Sequence, residues 1–146
     1  VGRRFERLAD GIYTDYAHHP EEIKATINLA LEEAKMQNKK GVITIYEPHQ
    51  NSRQHEFGKD YKDVFNGVEK IYWLPTFLTR ENPNLSVLSP EQLISNLADP
   101  SIAVPAKTDQ DLAQAIISHQ KEGYLVLLMT AGPTDLWLRR LILGNS

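Results

Sequence analysis

The chain has 146 residues, 41% hydrophobic and 24% charged, with a net charge of -3. That is ordinary for one globular domain spanning residues 1–146, and it gives no electrostatic reason to expect a nucleic-acid partner. Cysteine is absent, which excludes disulfides and thiolate metal sites and is compatible with a cytoplasmic protein. No apolar run is long enough to span a bilayer, and no signal-peptide core is present. The chain opens at Val1-Gly2-Arg3-Arg4-Phe5 without Met, so a longer parent is expected.

In chain order, Phe5 to Leu8 and Ile12 to Thr14 flank Asp10-Gly11, a dipeptide that supplies positive φ to a tight hairpin turn. Pro20, followed by Glu21 and Glu22, marks a helix start, and Ile23, Ile27, Ala30, Leu31 and Ala34 recur at helical spacing. Asn38 closes that helix. Val42 to Tyr46 is a continuous β-rich run, as expected of a strand buried on both faces.

Phe57, Tyr61, Val64 and Phe65 predict a second amphipathic helix, and Ile71 to Leu74 a further strand. Pro75 to Pro90 reads as a long surface loop. A short helix through Leu93, Ile94 and Leu97 precedes a small strand at Ile102 to Val104. Thr108 is a candidate cap for a helix turning Leu112, Ala115 and Ile116 inward. Leu125 to Met129 is the most hydrophobic strand, and a last helix runs from about Thr134 to Leu143. The alternation implies an α/β fold: a Rossmann-like three-layer sandwich with a mostly parallel sheet and an N-terminal β-hairpin.

In open α/β sheets ligands bind beyond the carboxyl ends of the strands. Three polar segments follow strands here: Asp15 to His19, Glu47 to Arg53, and Thr130 to Asp135. Parallel strands with right-handed crossovers put all three on one edge. Asp15 and His19 could simply cap the first helix while Tyr16 packs, Ser52 could cap the next, and Gly132 could serve strand–helix packing. Arg53 carries a planar fork suited to a carboxylate or phosphate. Four of the five histidines (His18, His19, His49, His55) lie in or near the first two segments. No His-Glu-x-x-His string occurs and adjacent His18 and His19 diverge, so no metal site is expected. No Gly-x-Ser-x-Gly elbow suggests a hydrolase.

Gly-Arg-Arg-Phe-Glu, Asp-Tyr-Ala-His-His-Pro-x-Glu-Ile and Glu-Pro-His-x-x-Ser-Arg together resemble the C-terminal domain of the Mur ligase family over essentially the whole chain. The resemblance is greatest to the branch that joins L-alanine to UDP-N-acetylmuramate; the murein-tripeptide recycling branch is similar. It implies a cytoplasmic three-domain enzyme of peptidoglycan synthesis. In such an enzyme an N-terminal domain holds the UDP-sugar and a central P-loop domain holds ATP and Mg2+. The C-terminal domain closes over both while the muramate carboxylate is phosphorylated and attacked by the amine.

Carried over by motif, Arg4 would contact ATP phosphates and Asp15 the ribose. Tyr16, His18 and Arg53 would line the amino-acid side, with His49 and Gly132 as further candidates. Thr14 stands where the family carries a second Asp, Glu47 where it carries Gln, and Gln50 where it carries the first of two arginines, so the carboxylate clamp is incomplete. Thr130-Ala131-Gly132-Pro133 replaces a Gly-Ala-Gly loop, and Pro133 removes a backbone donor. No Gly-x-x-x-x-Gly-Lys-[Ser/Thr] loop is present, so the chain is expected to hold no complete catalytic set. Two other readings are a stand-alone α/β module for a nucleotide or small anion and a response-regulator-like interaction domain. The latter needs an acid cluster at the strand ends and a late lysine, and the sequence offers neither.

Overall fold

A computed structural model describes residues 4–144. Strands β1 (Glu6–Ala9), β2 (Ile12–Asp15), β3 (Val42–Glu47), β4 (Lys70–Trp73), β5 (Ala103–Pro105) and β6 (Leu125–Thr130) form one sheet in the order β1-β2-β6-β3-β4-β5. β1 pairs antiparallel with β2, and every other pairing is parallel. The helices are α1 (Pro20–Met36), α2 (Asn51–Phe57), α3 (Pro90–Ile94), α4 (Gln110–Glu122) and α5 (Thr134–Gly144).

Strand side chains alternate between faces, and the core divides accordingly. Leu125, Leu127 and Met129 join Ile23, Ile27, Tyr46, Phe65 and Trp73 on the α1–α2–α3 side. Val126 and Leu128 join Ile43, Ile45, Leu112, Ile116 and Leu138 on the α4–α5 side. β6 and β3 are buried along their full length because each has a strand on both edges and helices on both faces. That is why they read as unbroken apolar runs.

The hairpin closes at Gly11, whose φ of 72° favours a residue without Cβ. α1 begins with a capping box in which the His19 ring accepts from the Glu21 amide while Glu22 accepts from the His19 amide. His19 therefore does cap the helix, whereas Asp15 does not and Tyr16 stays 41% exposed.

Several local expectations are corrected. The second helix covers Asn51–Phe57 and then tightens into a 3-10 turn at Gly58–Tyr61, so Phe57, Tyr61, Val64 and Phe65 are buried without sharing one helix. Asp109, not Thr108, caps α4 by accepting from the Leu112 amide, and Ala113 rather than Ala115 is its buried alanine. Ser52 lies inside α2. The Glu81 carboxylate, from the long loop, accepts from the amides of Asn51 and Ser52 in place of a local cap. Trp73 and Leu74 pack completely, while Leu78 is 48% exposed.

Candidate functional site

β2, β6 and β3 are adjacent, and their registers pair Asp15 with Met129 and Glu47 with Thr130. The three polar segments therefore leave the sheet side by side.

At the first exit, Asp15 is 7% exposed and works inside the fold. Its Oδ2 accepts from the Phe5 amide at 2.6 Å, and its Oδ1 from the Ala17 amide at 2.8 Å and the Thr26 hydroxyl at 3.3 Å. One carboxylate thus ties the chain entering β1 to the turn before α1. Arg4, next to Phe5, is exposed beside it. Arg4, Asp15, Tyr16, His18, Glu21 and Thr26 are among the residues lining a cavity of about 420 Å³. The Gly2 and Arg3 of the first recognised string lie outside the described residues.

At the second exit the chain turns sharply: Gln50 has φ 63°, uncommon for a residue with a side chain. The turn is held from outside. The Gln50 amide donates to the Phe77 carbonyl and its side-chain amide to the Thr79 carbonyl. The Gln50 side-chain oxygen accepts from Nε of Arg53. Arg53 is exposed, and its two terminal nitrogens donate no hydrogen bond among the described residues. From below, Gln54 donates to the His49 carbonyl at 3.1 Å. Gln54 in turn accepts from the Tyr61 hydroxyl at 2.5 Å, and Tyr61 lies 2.6 Å from the Tyr46 hydroxyl. Burial pushes both phenols well above the usual range, so both stay neutral.

At the third exit the hydroxyls of Thr130 and Thr134 both donate to Glu47, which is 7% exposed. The Gly132 amide donates to Thr130 at 2.9 Å. A Cβ on Gly132 would come within 2.8 Å of Glu47 and 3.0 Å of the Phe77 ring, so glycine here permits close packing.

The exits are joined by a row of rings. Tyr16 meets His18 at 5.5 Å between centroids, His18 meets His49 at 5.6 Å, and His49 meets Phe77 at 5.8 Å. Phe77 reaches Gly132. Burial lowers the His49 pKa, helped by the charges of His18 and Arg53 and opposed by Glu81. An imidazole kept neutral beside an arginine can accept a proton or a hydrogen bond. Tyr16, His18, His49, Arg53 and Gly132 thus share one rim, while Arg4 and Asp15 lie on its α1 flank. Phe77, Glu81 and the Glu47 threonines are builders of this rim that no local sequence pattern marks. Among the described residues, no three His, Asp or Glu side chains gather as a metal-binding group. None of the described helices is long and apolar enough to cross a membrane.

Comparison with known proteins fits this architecture. Residues 3–132 match the family described as Mur ligase, glutamate ligase domain. The UDP-N-acetylmuramate–L-alanine ligase of Rickettsia felis is 34% identical over 139 residues, covering 90% of this chain and 29% of the relative. That of Rickettsia bellii is 32% identical over 140 residues with the same coverage. A murein peptide ligase from Psychrobacter arcticus superposes over 97% of this chain and 29% of its own, with a TM-score of 0.61 and 23% identity, which speaks to fold. The chain spans less than a third of the length of these curated relatives. By the family match over most of its length, the chain belongs to the Mur ligases, as their glutamate ligase domain.

Proposed function

We propose that residues 1–146 form the C-terminal domain of a cytoplasmic, ATP-dependent ligase that joins an amine, L-alanine in the simplest case, to UDP-N-acetylmuramate in cell-wall synthesis. The observation that carries this reading is the continuous row Tyr16–His18–His49–Phe77–Gly132 with Arg53 beside it, at the ends of three adjacent parallel strands. A carboxylate-bearing amine needs its carboxylate gripped and its nitrogen unprotonated to attack. Arg53 supplies the grip with free terminal donors, and a neutral His49 beside His18 supplies a proton acceptor within the same rim.

ATP, when bound, supplies the phosphoryl group that activates the muramate carboxylate. The α1-flank cavity suits one edge of such a nucleotide. Arg4 makes no ion pair among the described residues and suits phosphate, while the acidic end near Asp15 and Glu21 suits sugar hydroxyls. Three donors already occupy Asp15, which leaves about one acceptor position for a ribose hydroxyl. Asp15 therefore contributes mainly by holding Phe5, and with it Arg4, in place. We assign Mg2+, most of the ATP contacts and the UDP-sugar to preceding domains of the same chain, with which this domain completes the active site. The test is ADP release by the full-length protein. It should require both UDP-N-acetylmuramate and an amine acceptor; release indifferent to either would refute the reading.

A further inference from the structure

On the α4 side of β4, outside the rim, the Tyr72 hydroxyl lies 2.8 Å from Nε2 of His119, near the end of α4. The other ring nitrogen, Nδ1, is buried and lies 3.4 Å from the Glu122 carboxylate, an ion-pair distance too long for a good hydrogen bond. Tyr124 packs edge-on against the same ring. A carboxylate beside Nδ1 favours the tautomer with its proton there, and the Tyr72 hydroxyl then donates to the lone pair of Nε2. Burial lowers the His119 pKa, Glu122 opposing and Lys70 adding, so the ring stays neutral near neutral pH. Tyr72, His119 and Glu122 thus stand as nucleophile, base and orienting acid, the order in which an imidazole activates a hydroxyl.

Tyr72 also forms part of the wall of a cavity of about 220 Å³, whose apolar surfaces include Val104, Ala106 and Leu112. That is room for a short acyl chain. Two amines stand near the phenol: Lys70, its Nζ 5.0 Å from the ring centroid, and Lys107 at the cavity. Neither forms an ion pair among the described residues. Of the acids at the same cavity, Asp109 is committed to the α4 cap and Asp111 is exposed to water. Such surroundings suit an acyl group whose leaving group is an anion.

We propose that Tyr72 is a nucleophilic modification site that takes a short acyl group from an acyl phosphate, with His119 as its general base. The phenol oxygen attacks the acyl carbon while its proton passes to Nε2 of His119. The bond between that carbon and the phosphate oxygen breaks, and the proton leaves His119 with the departing phosphate. The products are the acyl ester of Tyr72 and inorganic phosphate, and no further reactant enters. None of these residues belongs to the rim, so the inference does not depend on the ligase reading.

The probe is acetyl phosphate, incubated with the full-length protein, and the acetylated sites are read by peptide mass spectrometry. Hydroxylamine removes an acetyl ester of tyrosine and spares an acetyl amide of lysine, which separates Tyr72 from Lys70. Tyr72 should be labelled about tenfold faster than Tyr16, although Tyr16 is the more exposed of the two. His119→Gln, which keeps a polar side chain but no base, should slow labelling at Tyr72 by about 100-fold, the low end of general-base assistance. Glu122→Gln should slow it roughly two- to fivefold, the worth of an exposed charge pair. Between about pH 7 and 9 the rate at Tyr72 should stay nearly level, because the imidazole is already neutral, whereas an unassisted phenol gains about tenfold per pH unit. The last two readouts leave the packed imidazole untouched, so they hold even if His119→Gln fails to fold. Labels that follow exposure alone, with Tyr16 ahead of Tyr72, overturn the proposal. So does a Tyr72 rate that neither substitution alters, or one that climbs with pH as an unassisted phenol would.

Discussion

Removing one oxygen from the core, by Tyr61→Phe, isolates the relay that supports the second strand exit. Gln54 donates to the His49 carbonyl, so its side-chain oxygen faces Tyr61 and accepts that hydroxyl's proton. Tyr61 has only one proton, so Tyr46 must donate to Tyr61. Tyr61→Phe keeps the ring against Phe65 and Trp73 but strands two buried groups, the Tyr46 hydroxyl and the Gln54 oxygen. Each such orphan costs about 1–3 kcal/mol, so we expect a loss of about 2–6 kcal/mol. Set against about 5–15 kcal/mol for a whole domain, that is a large share.

Urea unfolding of the chain, followed by the fluorescence of Trp73 beside both phenols, should show the midpoint falling by roughly 1–3 M. Tyr46→Phe/Tyr61→Phe removes one of the two orphans and should be no less stable than Tyr61→Phe alone. A Tyr61→Phe midpoint within about 0.2 M of the unaltered chain, or a double variant that adds the full cost of both singles, would refute the relay.

Two further outcomes follow from the same rim. Glu81→Ala removes the carboxylate that accepts the amides of Thr79, Asn51 and Ser52. Losing this cap should cost about 1–2 kcal/mol and speed amide exchange at Asn51 and Ser52, while exchange in α4 stays unchanged. Stability should also fall as pH drops below about 6.5, the ordinary histidine value from which both groups are lowered. Burial lowers the pKa of both His49 and His119 in the folded chain, with His18 and Arg53 adding to the effect at the former and Glu122 opposing it at the latter. The unfolded state then takes up protons first, so the melting temperature should hold above pH 6.5 and fall as pH drops toward the folded values. Glu22 and Glu81 act only lower. Burial would raise them, but backbone amides outweigh it and hold both below 4.5. His49→Gln should flatten part of the slope below pH 6.5; an unchanged slope would contradict the assignment.

What could be read from the chain was whatever neighbouring residues decide. Asp10-Gly11 announces a hairpin and Pro20-Glu21-Glu22 a helix start. The unbroken runs at Val42 and Leu125 announce central strands, and parallel order then carries His18, Arg53 and Gly132 to one edge. What could not be read depends on partners far along the chain. Phe57 and Tyr61 keep helical spacing, yet their backbone tightens after Gly58, which packs against Leu93. α2 is capped by Glu81, about thirty positions on, and Glu47 is held by hydroxyls more than eighty positions away. Phe77, which links the histidine row to Gly132, sits in a stretch whose Pro/Asn content reads as loop and nothing more.

The sharpest check on the amine-binding rim is the kinetics of Arg53→Ala in the full-length protein. If Arg53 grips the acceptor's carboxylate, the KM for the amine should rise by about 10–100-fold, the loss of one or two charge-assisted hydrogen bonds, while the KM for ATP moves less than about twofold. Equal changes in both, or none in either, would contradict the account.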